Sequence, residues 1–248
     1  MNHPIIFLWA HPRSRSTAFL RMMLERGDFL VLHEPFSSIT VQGHTEMGEE
    51  IVTSAAELLG RLEEAARRTP VFVKETTEYR YDILDDPGLP HLGEHTFIIR
   101  DPGPTLASHY AMNPHFTCDE VGYEHQVEIF DLVRNSTGRV PLVMEAEKLV
   151  KEPEQVIRHY CRETGIPFRA SALSWEPGEQ QAWSRTSEWH QAVARSTGFH
   201  SAESTYPVSV DNNATLAKYH SHHMRFYEVL QSHAFTTETH AQPTRDCR

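Results

Sequence analysis

The chain has 248 residues, 39% of them hydrophobic and 23% charged, enough for one domain with its own core and ordinary for a soluble globular protein. Its formal net charge of −11 argues against a broad nucleic-acid surface, which needs a basic face. No apolar run reaches the ~18–20 residues of a membrane span, the N-terminus lacks a signal-peptide pattern, and Cys118, Cys161 and Cys247 are too few and scattered for a disulfide framework. The expectation is a cytoplasmic protein with no membrane or nucleic-acid partner; a homodimer stays open. The densest of its histidines, His220, His222 and His223, lack the spacing of a zinc site, so no metal is expected.

Short apolar runs alternate with helical patterns, the signature of an α/β layer fold. Residues 5–9 form a continuous apolar run, as in a parallel strand covered on both faces. Ala18, Phe19, Met22 and Met23 then recur at helical spacing up to Gly27. Residues 29–32 read as a second strand. Ser54 and Glu57 form a capping box that opens a helix to about residue 68. Residues 71–73 and 96–99 read as the third and fourth strands. Pro104 suits the first turn of a helix that Pro114 stops. A helix follows over 123–135, then a fifth strand over 140–144, then a helix from Pro153 that Gly165 and Pro167 end. Residues 175–199 read as a long loop with helical pieces, 214–232 as a final helix. One domain is expected over 1–235, with a mobile tail over 236–248.

The strongest chemical signal lies between the first strand and the first helix: His11-Pro12-Arg13-Ser14-Arg15-Ser16-Thr17. A helix N-terminus exposes unpaired N–H groups and the positive end of the dipole, which together bind anions. Ser14, Ser16 and Thr17 add hydroxyls, and Arg13 and Arg15 add charge suited to phosphate. Helix capping needs one hydroxyl and explains neither arginine. The glycines and lysine of a Walker A loop are absent, which disfavours an ATP or GTP hydrolase. No cysteine stands near the loop, which excludes a cysteine-based phosphatase.

The segment 12–17 resembles the 5′-phosphosulfate-binding loop of sulfotransferases that use PAPS (3′-phosphoadenosine 5′-phosphosulfate). Phe97-Ile98-Ile99-Arg100-Asp101-Pro102, with Ser108 eight residues after Arg100, is similar to that family's 3′-phosphate-binding segment. The stretch 145–168 is similar to the part that closes the family's core. The resemblance implies a P-loop-type parallel sheet flanked by helices on both faces. It also implies a small bacterial-type enzyme that moves a sulfuryl group from PAPS to a hydroxyl or amine of a small molecule, with no metal. One departure stands out: Arg15 replaces the loop's usual glycine, so a different loop path is expected.

By the same resemblance, Arg13, Ser14, Arg15, Ser16, Thr17, Arg100 and Ser108 hold the donor. Arg195, in a late lid-like segment, is a further candidate. Arg13 bridges the sulfuryl group and the leaving phosphate; always protonated, it stabilises charge but is no general acid. Glu34, at the end of the second strand, is the first candidate for general base. His33 is the second, since its ordinary pKa is near neutral. Lys74, after the third strand, is a second cation near the sulfuryl group, with Glu75 its partner or an alternative base. Trp175, Trp183 and Trp189 line an acceptor pocket or anchor the late loop. Two other readings stay open: an atypical kinase on a similar loop, and a nucleotide-binding module without catalysis.

Overall fold

The computed structural model describes residues 3–199 and 205–235; the expected mobile tail and Cys247 lie outside them. Strands β1 (Ile5–Ala10), β2 (Leu30–His33), β5 (Val71–Thr76), β6 (Glu94–Ile99) and β7 (Leu142–Glu145) form one parallel sheet in the order β2–β5–β1–β6–β7. A separate short hairpin joins β3 (Thr45–Met47) to β4 (Glu50–Val52).

β1 lies at the centre, and every one of its six residues is buried. Its alternate residues feed two cores, as a strand's period of two requires. Ile5, Phe7 and Trp9 pack with side chains of α3 (Ala55–Ala65), α5 (Tyr123–Thr137) and α9 (Ala214–Gln231). Ile6, Leu8 and Ala10 pack with α1 (Ser16–Arg26) and α7 (Pro153–Glu163), and with Trp175 and Trp183. Helices therefore cover both faces of the sheet.

The remaining helices are α2 (Pro35–Gln42), α4 (Pro102–Met112), α6 (Ala146–Lys151) and α8 (Gln191–Ala194). Gly27, in the left-handed conformation, ends α1 where the sequence places the stop. The Ser54 hydroxyl accepts from the Glu57 N–H and opens α3, which ends at Ala65 rather than near residue 68.

Two departures from the sequence reading, and one segment that follows it, bear on the site. The third strand does not stop at Val73. Lys74, Glu75 and Thr76 continue the ladder opposite Leu8, Trp9 and Ala10, so all three polar side chains are held inside the sheet. Residues 35–52, with no predicted element, form α2 and the hairpin. The late segment carries 3₁₀ turns over Gln181–His190, kinked at Trp183 and Thr186, before α8.

Gln126 of α5 fastens the site end of the sheet. Its Nε2 donates to the carbonyls of Trp9 and Ile98, each at 3.0 Å, tying β1 to β6 where both strands finish.

Candidate active site

The C-terminal ends of β1, β2, β5 and β6 open into a cavity of about 860 Å³. Parallel α/β sheets place their ligand crevices at this edge. Arg13, Ser16, Glu34, Lys74, Arg100 and Arg195 all stand on its walls.

The loop after β1 has an unusual backbone. Arg13 and Arg15 both have positive φ, 64° and 65°. Arg15 is the N-cap of α1 and offers no side-chain cap, leaving the first amides of the helix open. The departure from glycine is therefore absorbed by strain: an arginine takes the left-handed conformation that glycine adopts freely. Ser14 is fully buried, and its hydroxyl has no partner among the described residues. A buried polar group without a bond is costly, and of the predicted donor-binding residues Ser14 is the one that does not stand on the cavity wall.

Arg100 lies against this loop. Its guanidinium donates from one terminal nitrogen to the Arg13 carbonyl at 3.1 Å. Its Nε is 3.6 Å from a Glu147 carboxylate oxygen, within ion-pair reach but without a hydrogen bond. Burial and then the Arg15 charge both lower the Arg100 pKa, with Glu147 offsetting them in part. Arg13 donates from Nε to the Ser108 hydroxyl at 3.0 Å and from a terminal nitrogen to the Trp189 carbonyl at 2.9 Å. Arg13 and Arg15 of the loop thus converge with the distant Arg100 and Ser108. The three arginines concentrate positive charge locally in a chain of net −11.

His11 orders the junction. Its Nδ1 donates to the Pro12 carbonyl at 2.9 Å, and its Nε2 accepts from the Arg100 backbone N–H at 3.0 Å. Full burial holds its pKa at about 3, so the ring stays neutral and one tautomer fits both bonds. Tyr123 stacks on it at 4.0 Å and donates to the Arg100 carbonyl at 2.5 Å.

On the β2–β5 side, Lys74 Nζ and Glu34 form a close ion pair. Glu34 follows β2 with φ 51°, in the left-handed region, at the N-cap position of α2, where its own side chain makes no cap. Burial pushes its pKa up, but Lys74, His33 and His190 outweigh burial and hold the carboxyl at about 2. His33 is held at about 4, chiefly by burial, and its Nε2 lies 3.2 Å from His190 Nε2. Glu75 points the other way. Its carboxyl accepts from the N–H groups of Phe36 (2.7 Å) and Thr76 (2.9 Å) and from the Tyr81 hydroxyl (3.1 Å). Burial, then the Glu34 charge, raise it to about 8. Glu75 therefore anchors the start of α2 and does not line the cavity, whereas Glu34, His33 and Lys74 do.

The late segment closes the cavity. His190 reaches the Thr17 hydroxyl at 3.0 Å through Nδ1 and the Thr186 hydroxyl at 3.1 Å through Nε2. Trp175 is buried away from the cavity; Trp183, though only 2% exposed, stands on its wall, and Trp189 sits over Arg13, its ring centroid 5.9 Å from the guanidinium carbon. Arg195 is exposed on the rim and makes no ion pair among the described residues. Tyr206 donates to the Ser108 hydroxyl at 3.0 Å. His11 opens the loop singled out from the sequence; Glu78, His190 and Tyr206 also line the cavity and were not named from the sequence, because tertiary contact brings them there.

Away from the cavity, ligand-type atoms of Cys118, His222 and His223 lie within 4.8 Å of one another. Each histidine already has a partner: His223 Nε2 meets the Cys118 carbonyl at 2.8 Å, and His222 Nε2 meets Glu124 at 3.3 Å.

The sheet, with a cationic loop after its central strand and Arg100 beside it, is an α/β architecture with a positively charged crevice at its C-terminal edge. The chain matches the family model described as "Sulfotransferase domain" over residues 4–234 and belongs to that family. The curated relatives include the "Branched-chain-amino-acid aminotransferase-like protein 1" of Arabidopsis thaliana, 31% identical over 222 residues that are 83% of this chain and 39% of that protein. Its "protein 2" counterpart is 30% identical over 82% of this chain and 38% of that protein. The chain thus spans about two fifths of the length of these relatives. Among solved structures, the sulfotransferase domain of the Synechococcus PCC 7002 olefin synthase superposes with a TM-score of 0.57 at 15% identity, covering 90% of this chain and 95% of that one. A sulfotransferase from Alicyclobacillus acidocaldarius gives 0.51 at 12% identity, covering 95% and 98%. At these identities the structures share the fold.

Proposed function

We propose that the chain transfers a sulfuryl group from PAPS to a hydroxyl or amine of a small molecule. The observation that carries this reading is the junction at Arg13: its carbonyl accepts from Arg100, and its guanidinium donates to Ser108. Two separated cationic clusters are therefore within reach of one nucleotide carrying anions at both ends. Ser16 and Thr17 on the cavity wall and the open amides of α1 fit the 5′ end. Arg100 and Ser108 fit the 3′-phosphate, with Arg195 on the rim above.

In this reading Arg13 neutralises charge on the sulfuryl oxygens and the leaving phosphate. Glu34 accepts the acceptor's proton as the new sulfur–oxygen or sulfur–nitrogen bond forms and the bond to the phosphate breaks. At rest the Lys74 ion pair keeps Glu34 a weak base. An incoming sulfuryl group draws Lys74 toward its oxygens and frees Glu34 to take the proton, so one contact links donor arrival to base strength. His33, held neutral, buttresses the pair.

The test is release of adenosine 3′,5′-bisphosphate from PAPS with a panel of small hydroxyl and amine acceptors. Arg13→Ala should lower turnover by at least about a hundredfold, the scale of losing one charge-stabilising group. Unchanged turnover in that variant would remove Arg13 from the chemistry.

A further inference from the structure

The cavity's two ends differ in charge. The end beside α1 collects Arg13, Arg15 and Arg100. The end bounded by α2, the start of β3 and the exit of β5 carries Glu34, Glu46 and Glu78, against Lys74 and Arg185. Both of those cations are already engaged: Lys74 pairs with Glu34, and Arg185 pairs with Glu46 and donates to the Gln42 side chain at 3.2 Å. Glu78 is left over. It is half-buried on the cavity wall, bonds its neighbour Tyr79, and forms no ion pair among the described residues.

Resting on the sulfotransferase reading, we infer that Glu78 recognises the acceptor and that the acceptor is an amino alcohol. Its ammonium group meets Glu78, and its hydroxyl is presented to Glu34 and Lys74. An ammonium supplies the missing counter-ion and also relieves the repulsion between Glu78 and Glu34. A neutral acceptor leaves Glu78 without an ion pair, and an acidic acceptor adds a fourth negative charge to the three glutamates of the same wall. The strain of the unpaired group shows in its protonation: burial, then the charges of Glu34 and Glu120, raise the Glu78 carboxyl to about 7.

A matched trio tests this on the full chain saturated with adenosine 3′,5′-bisphosphate: 6-amino-1-hexanol, 1-hexanol and 6-hydroxyhexanoate, with dissociation constants from calorimetry at pH 8. The amino alcohol should bind at least about tenfold tighter than hexanol, as expected for a charge-assisted contact, and the hydroxy acid weakest. Glu78→Gln should bring the amine-to-alcohol ratio near one with nucleotide affinity unchanged.

Lowering the pH to 6 should shrink the ratio in the native chain, because Glu78 is then protonated. The other charged or titratable groups facing it are Glu34, held at about 2, Tyr79, raised to about 12, and Lys74 and Glu120. Behind them His33, at about 4, stays neutral over this range, and Glu75, at about 8, titrates within it. The pH dependence should therefore be absent from Glu78→Gln, which retains Glu75. Equal binding of the trio by nucleotide-loaded chain, or an amine preference that survives Glu78→Gln, overturns the inference and leaves the donor reading standing. Failure of adenosine 3′,5′-bisphosphate to bind overturns both.

Discussion

Arg15 shows how one residue can depart from a pattern without abandoning its backbone. Its φ of 65° is the conformation glycine takes at no steric cost, and an arginine there carries about 1–2 kcal/mol of strain. Arg15→Gly relieves that strain but loosens the unfolded chain, and the two effects nearly cancel. Its unfolding free energy should stay within about 1 kcal/mol of the parent. Arg15→Val, β-branched and disfavoured at positive φ, should lose at least about 1 kcal/mol in the same urea titration. Glu75 makes a second residue-scale prediction. Its carboxyl sits near the usual range in the unfolded chain and at about 8 in the fold. A raised value means that stability is fully present below the unfolded value and is lost as pH rises through the folded one. The buried histidines, His11 and His33 among them, work the other way, adding stability as pH rises toward the ordinary histidine value. The difference in denaturation midpoint between the native chain and Glu75→Gln isolates Glu75: it should shift against the native chain between pH 5 and pH 8. A pH-independent difference would contradict the assignment.

At the scale of elements, the buried strands and the capped helices were legible because their signals are local. β1 is an unbroken apolar run, α1 stops at Gly27, and Ser54 opens α3. The polar end of β5 was not legible, since Lys74, Glu75 and Thr76 are strand only by virtue of pairing with β1. α2 was hidden for a related reason: its N-terminus is capped from another strand, by the Glu75 carboxylate on the Phe36 N–H. Arg13, Arg100 and Ser108 could be named from motif and spacing. His190, which ties the late segment to Thr17 and His33, could not, because its partners lie more than 150 positions away. Gln126 offers the element-scale test. Gln126→Ala removes both side-chain donors to the β1 and β6 carbonyls. Each lost bond costs about 0.5–1.5 kcal/mol and the truncation opens a gap in a buried site, so the chain should unfold at clearly lower urea. An unchanged midpoint would show that the clamp is idle.

For the whole molecule, the governing feature is separation of charge: an acidic chain of net −11 that gathers Arg13, Arg15 and Arg100 around one loop mouth. The late segment folds back over that mouth through Trp189 and His190, so the cavity is bounded by residues from nearly the full length of the described chain. Binding there should stabilise the entire domain rather than one lobe. The most direct measurement is thermal unfolding with adenosine 3′,5′-bisphosphate. At a hundred times the dissociation constant, linkage gives about 2.7 kcal/mol, a rise of about 5–10 °C for a domain of this size. Arg13→Ala and Arg100→Ala should each reduce that rise. No shift at millimolar nucleotide, or an undiminished shift in both variants, would contradict the account.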